Sequence, residues 1–184
     1  LQYPGMRGLI ARKTATSLAG SALVTFTEKV LDPADGVTFF GGNRIEPPAF
    51  RYPNRSRLVV GGLDKPTKIL SAEYDLIYVN QAEELTQADW ETLTTRARYG
   101  VLPWQQVFGD CNPGPPTHWL KQRADAVQLV MLESRHEDNP AVTPEYLATL
   151  DRLTGVRYFR YRKGLWVAAE GLVYDGWDPA VHLI

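Results

Sequence analysis

The sequence is most constrained at Asp75-Leu76-Ile77-Tyr78-Val79, a nearly all-apolar run that stops at Asn80-Gln81 and leads through Ala82-Glu83-Glu84-Leu85 into a helix-start signal. A strand that is apolar on both faces has to be covered on both, and parallel sheets flanked by helices provide that cover. Residues 8–12, 37–40, 57–61, 105–109 and 127–132 are further β-rich runs. Helical patterns lie between them. Residues 14–31 place Leu18, Ala22, Phe26 and Val30 four apart on one face. Thr86 is a capping hydroxyl with Asp89 three residues on, followed by Trp90, Leu93 and Ala97. Thr143-Pro144 opens another helix, with Leu147, Leu150 and Leu153 behind it and Gly155 ending or interrupting it. Residues 47–57 and 112–116, rich in Pro with Arg or Gly, read as irregular loops. The pattern predicts an α/β fold: a mainly parallel sheet flanked by helices.

Composition narrows the chemistry. A chain of 184 residues with 44% hydrophobic and 22% charged residues fits one globular domain, residues 1–184. No run approaches the roughly 18 continuous apolar residues of a membrane span, and no signal peptide is visible. Twenty Lys+Arg against 21 Asp+Glu make any contact with a polyanion local. Cys111 is the single cysteine, so no intrachain disulfide forms. His118, His136 and His182 lie too far apart to match a metal-ligand spacing. The chain begins at Leu1 without an initiator Met, as expected of a processed, trimmed or incomplete polypeptide.

In open α/β sheets ligands sit at the carboxyl ends of strands, which directs attention to the polar residues after Val79. An apolar strand ending in polar residues has the form of a Walker B segment, where an Asp holds the Mg²⁺ hydration shell and the next Glu handles the attacking water. Asn80 and Gln81 stand at those positions. Asn80 offers a carbonyl oxygen to a hydrated metal, whereas Gln81 positions a water but takes no proton from it. Glu83 or Glu84 is then the candidate base, unless both are merely acids favoured in the first turn of the next helix. At the next strand end, Asp110 and Asn112 are placed to reach a γ-phosphate or its metal, although Asn112-Pro113-Gly114 is also ordinary turn chemistry. Arg12-Lys13, the Arg51/Arg55/Arg57 loop and Arg157/Arg160/Arg162/Lys163 are basic groups of the kind that meet phosphates or simply face water. Trp119, Trp166 and Trp177 are base-stacking candidates or core. A nucleotide motor also needs a G-x-x-x-x-G-K-[ST] loop, and none occurs in the sequence.

These blocks together resemble the phage terminase large subunit family. The resemblance rests on residues 8–14, 62–68, 74–85, 109–113 with Thr117-His118-Trp119-Leu120, 134–140 ending in Asp138-Asn139-Pro140, and Gly164-Leu165-Trp166 followed by residues 170–175, all in the family's order. It implies a P-loop NTPase fold of the additional-strand type, N-terminally incomplete: residues 8–12 follow the Walker A helix, and the end near Trp177 falls where a nuclease domain would start. It implies an ATPase that drives double-stranded viral DNA into a procapsid, using ATP and Mg²⁺. The implied partners are the portal protein, the small terminase subunit and further copies in a pentamer, in the host cytoplasm and transiently at the procapsid portal. Residue by residue, it matches Asn80 and Gln81 to the metal-binding Asp and the catalytic Glu and Asn112 to the coupling motif, with Asp110 beside it. With the residue reading above, the candidate catalytic positions are Gln81, Glu84 and Asn112, the candidate cofactor-binding ones Asn80, Asp110 and Arg12, and the candidate metal ligand Asn80. Between Gly61 and Asp75 only Lys65 and Lys68 stand where a trans-acting arginine is expected. A catalytically inactive remnant serving as a binding or scaffold module is the competing expectation. Loss of the first strand and helix would leave a central strand unpaired and an apolar face uncovered.

Overall fold

This computed structural model describes residues 3–168. Residues 170–175, Trp177 and His182 lie outside that range. Two compact units divide between Cys111 and Asn112.

In the first unit, β1 (Arg7–Arg12) runs parallel to β4 (Arg57–Gly62) on one side and to β5 (Leu76–Val79) on the other. Beyond β5 lies β6 (Gln106–Gly109), also parallel. An antiparallel hairpin of β2 (Thr38–Phe40) and β3 (Ala49–Arg51) extends the sheet past β4. The strand order is β2-β3-β4-β1-β5-β6. Cover on both faces is complete on β1, where Leu9 is buried on one face of the pleat and Ile10 on the other; on β5, where the apolar run predicts it, Ile77 and Val79 are buried but Leu76 and Tyr78 on the opposite face are only half-buried.

Short helices provide that cover. Thr14 caps α1 (Ala15–Ala19) by accepting from the Ser17 amide, and Leu18 is buried against Ile10, Phe50 and Val60. Ile69 of α3 (Thr67–Leu70) lies on Gly61, its Cγ2 only 2.5 Å from where a side chain would begin. Thr86 and Asp89 close the expected capping box on α4 (Gln87–Thr94), with Leu93 buried. Buried Asp75 accepts from the amides of Arg7, Val101 and Leu102, tying β1 and the loop before β6 to the start of β5.

The structure corrects the sequence reading at several places. The single helix expected over 14–31 is broken after α1, where Ser21 leaves the helical region; α2 (Ala22–Thr25) and a π-helical turn, Phe26–Val30, follow. The wider turn shifts the side-chain register, so Val30 leaves the buried face. Residues 47–57 are not wholly irregular. Pro48 and Pro53 bracket β3, whose Phe50 is buried against Phe26 and Phe39, with ring centroids 5.0 and 4.8 Å away. Among the described residues the order ends at β2 on one side and at β6 on the other, and β1 is paired on both sides.

In the second unit, α5 (Trp119–Asp125) starts at His118, whose ring accepts from the Leu120 amide. The strand expected at 127–132 does not form. Val127 adopts φ 57°, which a β-branched residue rarely tolerates, and Val127, Val130 and Leu132 are 89%, 86% and 88% exposed. A helical turn at His136–Asp138 occupies the Asp138-Asn139 block. Thr143 caps α6 (Pro144–Asp151), which buries Leu150. Gly155 opens a further turn, α7 (Gly155–Arg157), and a π-helical turn follows at Tyr158–Arg162. Arg162 holds both Asp151 and Glu137 at 2.6 Å, so this basic residue is committed to its own unit. Half-buried Trp166 packs on the His118 ring, centroids 5.8 Å apart.

Candidate functional site

Three parallel strands, β1, β5 and β6, end side by side and deliver Arg12, Asn80 and Asp110 to one edge of the sheet. Two connected hydrogen-bond networks form there.

The first is centred on Arg12, which is 9% exposed. Its guanidinium donates to both oxygens of Glu84, to Ser21 Oγ and the Ser17 carbonyl, and to Gln81 Oε1. The hydrogen bond to Glu84 raises the Arg12 pKa and lowers that of Glu84. Pinned in this way, the Arg12 guanidinium braces the loop after β5 through Gln81 and Glu84. Gln81 sits in the left-handed region at φ 50°, a strain of roughly 1 kcal/mol for a non-glycine residue. With Oε1 taken by Arg12, the Gln81 amide presents N–H donors to whatever approaches and has no basic group to offer.

The second network is centred on Asp110. Its Oδ1 accepts from the Tyr78 hydroxyl at 2.6 Å, from Asn80 Nδ2 at 3.1 Å and from the Gln81 amide at 3.3 Å. Its Oδ2 receives a single long contact of 3.4 Å from Asn80. Because Asn80 turns its nitrogen to Asp110, its own oxygen is buried and meets no donor. Burial first, and the bond to Asp110 second, push the Tyr78 pKa up to about 12, so the phenol remains a donor over the working pH range. Burial, with Glu83 and Asp110 nearby, pushes the Cys111 thiol up to about 11, which argues against a nucleophile there.

Arg12, Asn80, Gln81, Glu84 and Asp110 therefore share one site. Asn112 is exposed at the start of the second unit. The sequence reading passed over Tyr78 and Ser21. Strand alternation places Tyr78 on the same side as Asn80 two residues later, and that spacing was the available signal. Beside the site, on the sheet face that carries α2, an apolar groove of about 660 Å³ runs over Gly8, Ile10, Leu76, Tyr78 and Phe108. Among the described residues no group of acids, histidines or cysteines suffices to hold a metal alone, and no helix is long and apolar enough to cross a membrane.

No protein-family model matches the sequence, and no curated protein matches it. Solved structures do match. The large terminase of a thermophilic bacteriophage superposes over 97% of this chain with a TM-score of 0.76 at 20% identity. The fold is that of a phage large terminase ATPase domain. The same thermophilic-phage protein in complex with ATP-γ-S matches over 98% of the chain, with a TM-score of 0.71 and 21% identity. The large terminase ATPase domain of Thermus phage P74-26 matches over 89% of the chain and 78% of its own length, with a TM-score of 0.51 and 12% identity. The chain spans 45% of the length of the first of these terminases. Within the terminase fold, Asn80 and Gln81 close the strand at the carboxyl end where the two networks meet.

Proposed function

We propose that this chain is part of the ATP-driven motor that translocates double-stranded viral DNA into a procapsid. The observation that carries this reading is the convergence of Arg12, Asn80, Gln81, Glu84 and Asp110 at the carboxyl ends of three adjacent parallel strands, in a fold shared with large terminases. ATP with Mg²⁺ is the expected cofactor, and a relative of the same fold is known in complex with ATP-γ-S. The buried, partnerless Asn80 oxygen beside the Asp110 carboxylate fits a hydrated Mg²⁺, which commonly keeps several waters and takes one or two carboxylates. The cation would supply charge neutralisation on the phosphates, while Gln81 would direct its N–H groups at a phosphate or water oxygen. The portal protein, the small terminase subunit and further copies in a pentamer are the proposed partners, at the procapsid portal in the host cytoplasm.

A phosphate-binding loop is required, and the open edge of β6 with its neighbouring groove would receive the elements that carry one. The β1-to-β4 connection moves away from β6 and lays α1 on the groove's face, while α3 lies on the opposite face. A strand added parallel at β6 and joined to β1 by a right-handed crossover would put its helix on the face with the groove. Polypeptide preceding Leu1 is the proposed source.

Steady-state ATPase assays test the reading. This chain alone should show no Mg²⁺-dependent turnover, and the parent polypeptide carrying a G-x-x-x-x-G-K-[ST] segment upstream of Leu1 should show it. Turnover by neither would favour the second reading, a non-hydrolysing binding or scaffold module, which the neutral pair Asn80-Gln81 supports.

A further inference from the structure

We infer that Asp110 is the acidic residue that holds the divalent cation, a role moved from the end of β5 to the end of the neighbouring strand. The inference rests on the motor reading above and deepens it by naming the residue. At the end of β5 the side chain is neutral Asn80, and the nearest carboxylate is presented from the adjacent β6: Asp110 Oδ1 lies 3.1 Å from Asn80 Nδ2.

The hydrogen bonding gives that carboxylate a direction. Oδ1 is saturated by Tyr78, Asn80 and the Gln81 amide. Oδ2 keeps its lone pairs nearly unspent, with one long contact from Asn80. Ionised carboxylates have room for several hydrogen bonds or a cation, so Oδ2 is the coordinating oxygen in waiting. Asn80 does two things at once. Its nitrogen orients Asp110, and its orphaned oxygen is left to accept from a water of the cation's shell. Tyr78 is a positioning residue: its hydroxyl donates to Oδ1 at 2.6 Å and pins it. The surroundings have the matching sign, since Glu83 and Glu84 both lie in the turn that directly follows Gln81. A site of negative potential with one free carboxylate oxygen and one free amide oxygen suits a hard, hydrated cation better than an anion.

The test uses Mn²⁺ and Tb³⁺ with the chain itself and no nucleotide, so it succeeds or fails independently of ATP turnover. With ¹⁵N-labelled protein, millimolar Mn²⁺ should selectively broaden the backbone amide signals of Asn80, Gln81, Ala82 and Asp110. Asp110→Asn preserves the acceptor for Tyr78 and Gln81, and it should reduce that broadening at least tenfold while amide dispersion and far-ultraviolet circular dichroism stay native. The exchange Asn80→Asp with Asp110→Asn returns the carboxylate to β5 and should restore broadening. Should Asp110→Asn fail to fold, Tb³⁺ emission from the unmodified chain decides: excitation through Tyr78 should sensitise it, and Tyr78→Phe should lower it severalfold. Broadening centred on other acids, unchanged broadening in Asp110→Asn, or Tb³⁺ emission indifferent to Tyr78→Phe would overturn the assignment.

Discussion

Arg12 grips Glu84 through both carboxylate oxygens, Nη2 to Oε1 at 2.6 Å and Nε to Oε2 at 3.0 Å. The Arg12 side chain is 11% exposed, and that of Glu84 is 36% exposed. Removing one partner leaves the other half-buried without compensation, and partial solvation of Glu84 moderates the cost. Arg12→Gln should therefore lower stability by about 2 kcal/mol, read as a drop in the urea midpoint with the slope unchanged.

The same pair sets a pH dependence. The hydrogen bond from Arg12 holds the Glu84 carboxyl below its ordinary value. For Asp89, burial pushes upward but is outweighed by bonds from Lys13 and Thr86, so its net shift is also downward. A carboxylate with a depressed folded pKa contributes stability that is fully present above the unfolded pKa and is lost as pH falls through the folded one. Urea midpoints should be level from pH 7 to pH 5 and fall below about pH 4.3. In Arg12→Gln that acid limb should be shallower.

Asp75 looks in the sequence like the first residue of an apolar strand, but it serves as a buried staple. Asp75→Ala strips acceptors from the Arg7, Val101 and Leu102 amides, two of them at 2.8 and 3.0 Å, and should cost about 3 kcal/mol. Amide hydrogen exchange should accelerate first at Val101 and Leu102. A variant with unchanged exchange there would show that these bonds are dispensable.

Phe50 belongs to a segment whose Pro and Arg content reads as surface, yet it is 2% exposed among Leu18, Ile10 and Val60. Phe50→Ala should cost about 3–4 kcal/mol by opening a cavity between the hairpin and α1. A thermal midpoint within a few degrees of the unmodified chain would place Phe50 outside the core.

The open edge of β6 carries Phe108 at 44% exposure beside the apolar groove. Exposed strand edges recruit other strands. Phe108→Lys should reduce light-scattering aggregation of the isolated chain severalfold and leave circular dichroism unchanged. Equal aggregation would point to another surface.

Local rules were enough wherever a feature is made by neighbours in sequence. The β-rich runs placed β1, β4, β5 and β6, and the apolar spacing from Thr14 with the capping patterns at Thr86 and Thr143 placed three helix starts. They also led to the strand ends at Asn80-Gln81 and Asp110. Long-range packing settled what those patterns could not. β3 exists because Phe50 packs on Phe39 of neighbouring β2 and on Phe26 of the π-helical turn, a gain that overrides an unfavourable local composition. Residues 127–132 have strand propensity, but no strand of their own unit pairs with them among the described residues, and backbone groups without a ladder gain nothing from extended geometry. At the site, the sequence supplied the residue types at each strand end. Only the parallel register of β1, β5 and β6 decided that Arg12 braces Glu84 and Gln81 while Asp110 faces Asn80, because hydrogen bonds across 72 and 30 residues are set by strand order and not by spacing along the chain.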